Sequence, residues 1–232
     1  MSAFLTVKAV TLDAAGTLFF PKPSVGAIYS EIVAHYGVEL EPDQLDSSFA
    51  EAFKSAKKKG SIEDPEKREW EYWRSIVAGV LEDLAELPEN FDDLFSDLWT
   101  EFAKGSRWKL NPDARATFDL LEARGISCSL LTNWDQRVRR VIRDHNLESR
   151  FAQLFISSEV GFEKPDRQLF DFVATKMELS PNEILHVGDH LNQDYLGACN
   201  AGWNALLLTR KRTHNSDSRT IARLLDIQNH LQ

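Results

Sequence analysis

A chain of 232 residues with 43% hydrophobic content can bury a full core, as one domain or as a core with a smaller lobe. Its net charge of −9 argues against a nucleic-acid partner, whereas small anionic substrates stay open because a local lysine or metal charge outweighs a distant field. Cys128 and Cys199 read as free thiols in a reducing cytosol, and neither a leader pattern in residues 1–8 nor a bilayer-length apolar run is seen, so a cytoplasmic protein with no membrane partner is expected.

Residues 7–12 form a short apolar run that reads as a buried strand and ends on Asp13, before Ala14-Ala15-Gly16-Thr17. A strand that delivers a carboxylate to a sharp Gly-Thr turn aims a nucleophile or metal ligand into a cleft. The same aspartate taken alone is a turn or cap residue. Residues 21–109 change texture. They show helical periodicity over 24–36, 42–59, 65–84 and 90–104, with Pro42 and Asp64-Pro65 as helix openings. An all-helical insertion is expected there, with Trp70, Tyr72, Trp73, Phe91, Phe95, Trp99 and Phe102 forming most of its core.

From Gly125 onward strands (127–131, 153–156, 184–187, 204–208) alternate with helices (136–145, 167–177, 191–201), and an amphipathic helix over 219–231 closes the chain. This pattern predicts an α/β fold with a parallel sheet and right-handed crossovers. Ligands in such sheets collect beyond the carboxyl ends of the strands. Asp13, Thr132 and Asp189 all fall at such ends.

The later segments carry further chemistry. Leu130-Leu131-Thr132-Asn133 ends an apolar run in a hydroxyl and an amide; alone it is a helix cap. Glu163-Lys164-Pro165-Asp166 sets a lysine before a proline-marked helix start; alone it is surface charge. His186-Val187-Gly188-Asp189-His190-Leu191-Asn192-Gln193-Asp194 carries two acids five residues apart. Asp194 alone is a solvated helix residue, His186 reads as packed inside its strand, and His190 as solvent-exposed rather than as a proton donor. Trp134 either lines the cleft rim or simply shapes the pocket.

In this order the motifs resemble those of the haloacid dehalogenase-like hydrolase superfamily, and among its branches that of the domain-containing protein 3. The likeness spans the whole chain. It implies a Rossmann-like α/β core, residues 1–20 and 110–232, with an inserted helical cap, residues 21–109. It further implies a phosphorylated small molecule as substrate and Asp13 as nucleophile. Mg²⁺ would be held by Asp13, Asp189 and the Ala15 carbonyl, offsetting the repulsion between a carboxylate and a phosphate dianion. Lys164 would pair with Asp13 and the phosphoryl group, and Thr132 with the Asn133 backbone would donate to its oxygens. Thr17 would brace the loop, and Asp194 would orient a metal-bound water.

One departure matters. Ala15 stands where phosphate-transferring members carry a second, proton-shuttling aspartate. Proton donation to a leaving group is worth about 10²–10⁴-fold, so weakened phosphatase chemistry is expected, best on leaving groups that need no proton. Two branches also lack this acid. Dehalogenases have tyrosine there and lose the Gly-Asp pair, which Gly188-Asp189 keeps here. Phosphonoacetaldehyde hydrolases have alanine and use a cap lysine as a Schiff base; Lys54, Lys57, Lys58 and Lys59 are the candidates, although a lysine cluster at a helix end also complements the dipole. A catalytically impaired protein that binds a phospholigand or a protein partner is the remaining alternative.

Overall fold

The strand that precedes Asp13, Ala9–Leu12 (β1), is buried at every position, as a strand covered on both faces must be. The structure is a computed structural model that describes residues 7–56, 64–209 and 219–232. Its main sheet has six strands in the order β5-β4-β1-β6-β7-β8, where β4 is Ser127–Thr132, β5 Leu154–Ile156, β6 Ile184–Gly188, β7 Asn204–Leu208 and β8 Thr220–Ile221. All these pairings are parallel. The expected α/β architecture is therefore present: Rossmann-like, with helices on the sheet.

Register determines what sits where. Leu12 pairs with Leu130 on one side and with Val187 on the other, so β1, β4 and β6 end level with one another. The chain reverses its direction of strand addition at β1, which makes this the switch point of the sheet. Between the strands lie Ala114–Ala123 (α5), Arg137–Asp144 (α6), Ser157–Val160 (α7), Arg167–Met177 (α8) and Gly197–Asn200 (α9). The helix α8 opens at Asp166, whose side chain accepts from Gln168 N, rather than at Pro165.

The described residues divide into two compact units, one drawn from Met1–Phe20, Leu110–Gln136 and Asn146–Gln232, the other from Pro21–Lys109 and Arg137–His145. The inserted stretch begins after Phe19–Pro21 (β2) and ends at Trp108–Leu110 (β3), which form a two-stranded sheet. It holds Val25–Ala34 (α1), Pro42–Ser55 (α2), Pro65–Glu82 (α3) and Phe91–Glu101 (α4). Ser24 caps α1 through Ala27 N, Asp64 caps α3 through Lys67 N, and prolines open α2 and α3. Phe91, Leu94, Phe95 and Leu98 pack with Ile76, Val77 and Val80, and the partly buried Trp70, Tyr72, Trp73, Trp99 and Phe102 close around them. The insertion's aromatics are core, as their spacing predicts. Lys54 is exposed in the last turn of α2, and Lys57, Lys58 and Lys59 lie outside the described residues.

Two expected helices differ. The tail is not a helix over 219–231: Thr220–Ile221 adds to β7 as a sheet strand, and Leu224–Asn229 is a 3₁₀ helix. Leu224 and Ile227, three residues apart and both buried, eclipse on a three-residue turn, which their spacing suits better than a 3.6-residue one. The stretch 191–201 begins as a π-helix, Leu191–Leu196, before the short α9, with Tyr195 N donating to His190 O across five residues. No helix among the described residues is long and apolar enough to cross a membrane.

Candidate active site

Asp13 N donates to Val187 O at 2.9 Å, so the β1–β6 pairing runs right up to the nucleophile candidate. The chain then turns. Leu18 N and Phe19 N both donate to Ala14 O, and Gly16 has φ +90°, a left-handed conformation that glycine adopts without strain. A Cβ on Gly16 would fall 2.3 Å from Asp189 Oδ2, so the turn lies directly against the second acid. Thr17 is buried and its Oγ1 donates to Asp189 Oδ1 at 3.4 Å, a loop-to-acid tie. Ala15 is exposed at the mouth of this turn and brings no polar side chain to it.

Lys164 is the hub. Its Nζ donates to Asp13 Oδ1 at 2.7 Å, Asp194 Oδ1 at 2.5 Å and Leu131 O at 3.0 Å, which uses all three ammonium hydrogens. Only 2% exposed, Lys164 is no surface charge, and Asp194, equally buried, is no solvated helix residue. Asn133 fixes the lysine's backbone on both sides: Lys164 N donates to Asn133 Oδ1 at 2.7 Å and Asn133 Nδ2 donates to Lys164 O at 2.8 Å. Thr132 Oγ1, at the end of β4, accepts from Trp134 N. Trp134 is itself buried, and its carbonyl accepts from Ser157 Oγ, so it is not an exposed rim residue.

The electrostatics follow from burial. Desolvation pushes the Asp13 carboxyl up to about 6; Lys164 opposes this, and the charges of Asp194 and Asp189 add to it. Burial would lower the Lys164 ammonium, but Asp13 and Asp194 outweigh it and hold the group above its ordinary value. Burial likewise works against the Asp194 carboxylate, yet Lys164 and the His186 N–H hold it well below the usual carboxylate range. Asp189 faces solvent more than the others, and its partial desolvation with the Asp194 charge raises it. One ammonium therefore serves two buried acids.

Several contacts were not legible in the chain. Asn111 Nδ2 donates to Thr17 O at 2.8 Å and Asn111 N to Leu18 O, fastening the turn after Asp13 from the point where the sequence re-enters the core. His190 N donates to Asp194 Oδ2 at 2.8 Å, while the exposed His190 ring accepts from Gln193 N through Nδ1, a helix cap. A Cβ on Gly188 would meet Asp194 Cγ at 2.2 Å, so only glycine there leaves room for that carboxylate. Among the described residues, Asp13, Asp189 and Asp194 form an acidic group whose oxygens lie within 4.8 Å of one another.

Residues 7–202 match the haloacid dehalogenase-like hydrolase family. The chain belongs to that family. This hydrolase is 29% identical to a Schizosaccharomyces pombe hydrolase over 86% of its own length and 89% of the relative's. It is 26% identical to the haloacid dehalogenase-like hydrolase domain-containing protein 3 of Danio rerio, covering 90% and 88% of the two chains. Its fold superposes on the HAD-hydrolase YfnB of Bacillus subtilis, a magnesium-bound structure, with a TM-score of 0.74 at 16% identity over 97% and 99% of the chains. Family membership makes the chain a hydrolase, and the acids and the lysine described above occupy the sheet's switch point.

Proposed function

We propose that this hydrolase carries out phosphatase-type chemistry on a small phosphorylated metabolite, with Asp13 as nucleophile. The observation that carries this reading is the Lys164–Asp13 contact at the end of β1, which keeps a buried carboxylate oriented at the switch point of the sheet. Hard oxygen donors within 4.8 Å of one another suit a small divalent cation, and the Asp194 and Asp189 charges that add to the burial-driven rise of Asp13 are what such a cation offsets. Asp13, Asp189 and the Ala15 carbonyl are the donors for Mg²⁺; Asp194, already held by three N–H groups, stays behind them. Bound there, the cation supplies charge neutralisation between the acid and the phosphate dianion.

The protein's own groups then divide the work. Lys164 fixes Asp13 Oδ1 and leaves Oδ2 to attack phosphorus. Because Lys164 has no spare hydrogen, the Thr132 hydroxyl and the backbone N–H groups after β4 are the donors for the phosphoryl oxygens. The new Oδ2–P bond forms as the bond to the leaving oxygen breaks, and that oxygen departs with its electron pair. Water then attacks phosphorus as the Oδ2–P bond breaks, the water's proton staying with the released phosphate or passing to solvent, and the Asp13 carboxylate is regenerated. With alanine at position 15, neither step has an acid or base from that loop.

The expected signature is leaving-group selectivity. With Mg²⁺ present, aryl phosphates should turn over at least about 10²-fold faster than alkyl phosphates of similar size, and Ala15→Asp should narrow that gap by accelerating the alkyl esters. Equal wild-type rates on both classes, or no gain in the variant, would contradict the missing-acid account.

A further inference from the structure

His186 is wholly buried, is ionisable, and has no part in the reaction just described. Its ring lies edge-on to Phe170, 6.1 Å between centroids at 78°. Nδ1 is 2.8 Å from Thr11 Oγ1, its register partner on β1, and Nε2 is 3.1 Å from Asp194 Oδ1. Three N–H donors converge on Asp194: Lys164 Nζ and His186 Nε2 on Oδ1, and His190 N on Oδ2. A carboxylate so surrounded accepts and does not donate, so the hydrogen of that contact belongs to Nε2. Nδ1 is left as an acceptor, and the Thr11 hydroxyl donates to it.

We infer that His186 is a positioning residue: its Nε2–H clamps the Asp194 carboxylate, which in turn holds the Lys164 ammonium against Asp13. Without the imidazole, Oδ1 keeps a single side-chain donor, and Asp194 can rotate about its terminal torsion. The lysine then loses its fixed counter-acid. Glutamine at 186 sets an amide N–H near the Nε2 position, whereas asparagine reaches only as far as Nδ1 and leucine offers no donor. The geometry of the clamp stands by itself, while its consequence for rate rests on the phosphatase reading above.

The test uses ¹⁵N-labelled full-length protein at neutral pH without metal. Long-range imidazole spectra should show a protonated Nε2 on His186 in the wild type. The Lys164 ammonium cross-peak, assigned by its loss in Lys164→Met, should exchange slowly in wild type and in His186→Gln. It should exchange at least about tenfold faster in His186→Leu and His186→Asn, and with Mg²⁺ and an aryl phosphate kcat should fall by about the same factor in those two variants while KM is kept. An unprotonated Nε2 in the wild type overturns the inference, and so does Lys164 exchange that is equal in folded leucine and wild-type proteins. Should the leucine variant not fold, equal exchange in the glutamine and asparagine variants is the contradicting result. A wild type inert towards aryl phosphates would sink the phosphatase reading alone, since the spectra still decide the clamp.

Discussion

A lysine buried between two carboxylates cannot be removed quietly. Lys164→Met leaves Asp13 and Asp194 buried without their cation, and the loss expected on breaking such a pair from one side is about 3–5 kcal/mol at neutral pH. Urea denaturation should show this loss shrinking as the pH falls and the stranded acids protonate. A variant as stable as wild type at neutral pH would mean that the ammonium is not the hub described. The sequence already points to Asp13, Thr132 and Asp189, because each ends an apolar run that can only be a strand. Asp194 and Lys164 were legible as motif residues, but their burial was not: charged side chains are usually solvated, and the three ammonium bonds reach partners 30, 33 and 151 residues away along the chain. Asn111 gives no sequence signal beyond its proline neighbour, since a buried amide that ties down a turn looks like any loop asparagine.

Among the elements, the junction of β6 with the π-helix Leu191–Leu196 decides the site's shape. An α-helix from Leu191 would satisfy the apolar periodicity, which is why the sequence reads as one. The wider turn, with Asp194 and Tyr195 both donating to His190 O, instead turns the Asp194 carboxylate under the end of β6. Gly188 makes that space. Gly188→Ala pushes a Cβ into the carboxylate and is expected to cost about 1–3 kcal/mol as overpacking, with activity falling further because the Lys164 anchor moves. Thermal melts and aryl phosphatase rates on the same preparation check both parts, and an unaffected Tm would contradict the tight approach. The tail failed as a predicted helix for a related reason: Thr220–Ile221 pairs with β7 as a strand, and Leu224 and Ile227, three residues apart and both buried, suit the three-residue turn that follows.

For the molecule as a whole, the proposed function links pH and metal through one carboxyl. The folded-state value for Asp13, about 6, lies above the ordinary value of 3.8. Its contribution to the stability of the metal-free protein is therefore present below about 3.8 and lost as pH rises through about 6. A divalent cation needs the ionised form, so Mg²⁺ affinity measured by calorimetry should climb through that window and level off above it. An affinity that is flat from pH 5 to 8 would place the cation away from Asp13. Everything functional in this account returns to that side chain as the atom donor to phosphorus. The direct test is to mix protein, Mg²⁺ and an aryl phosphate for a single turnover, quench in acid and map the mass of one phosphoryl group by peptide sequencing. The expected result is phosphate on Asp13 and none in Asp13→Asn; phenol release with no labelled peptide, or labelling that survives in Asp13→Asn, would contradict it.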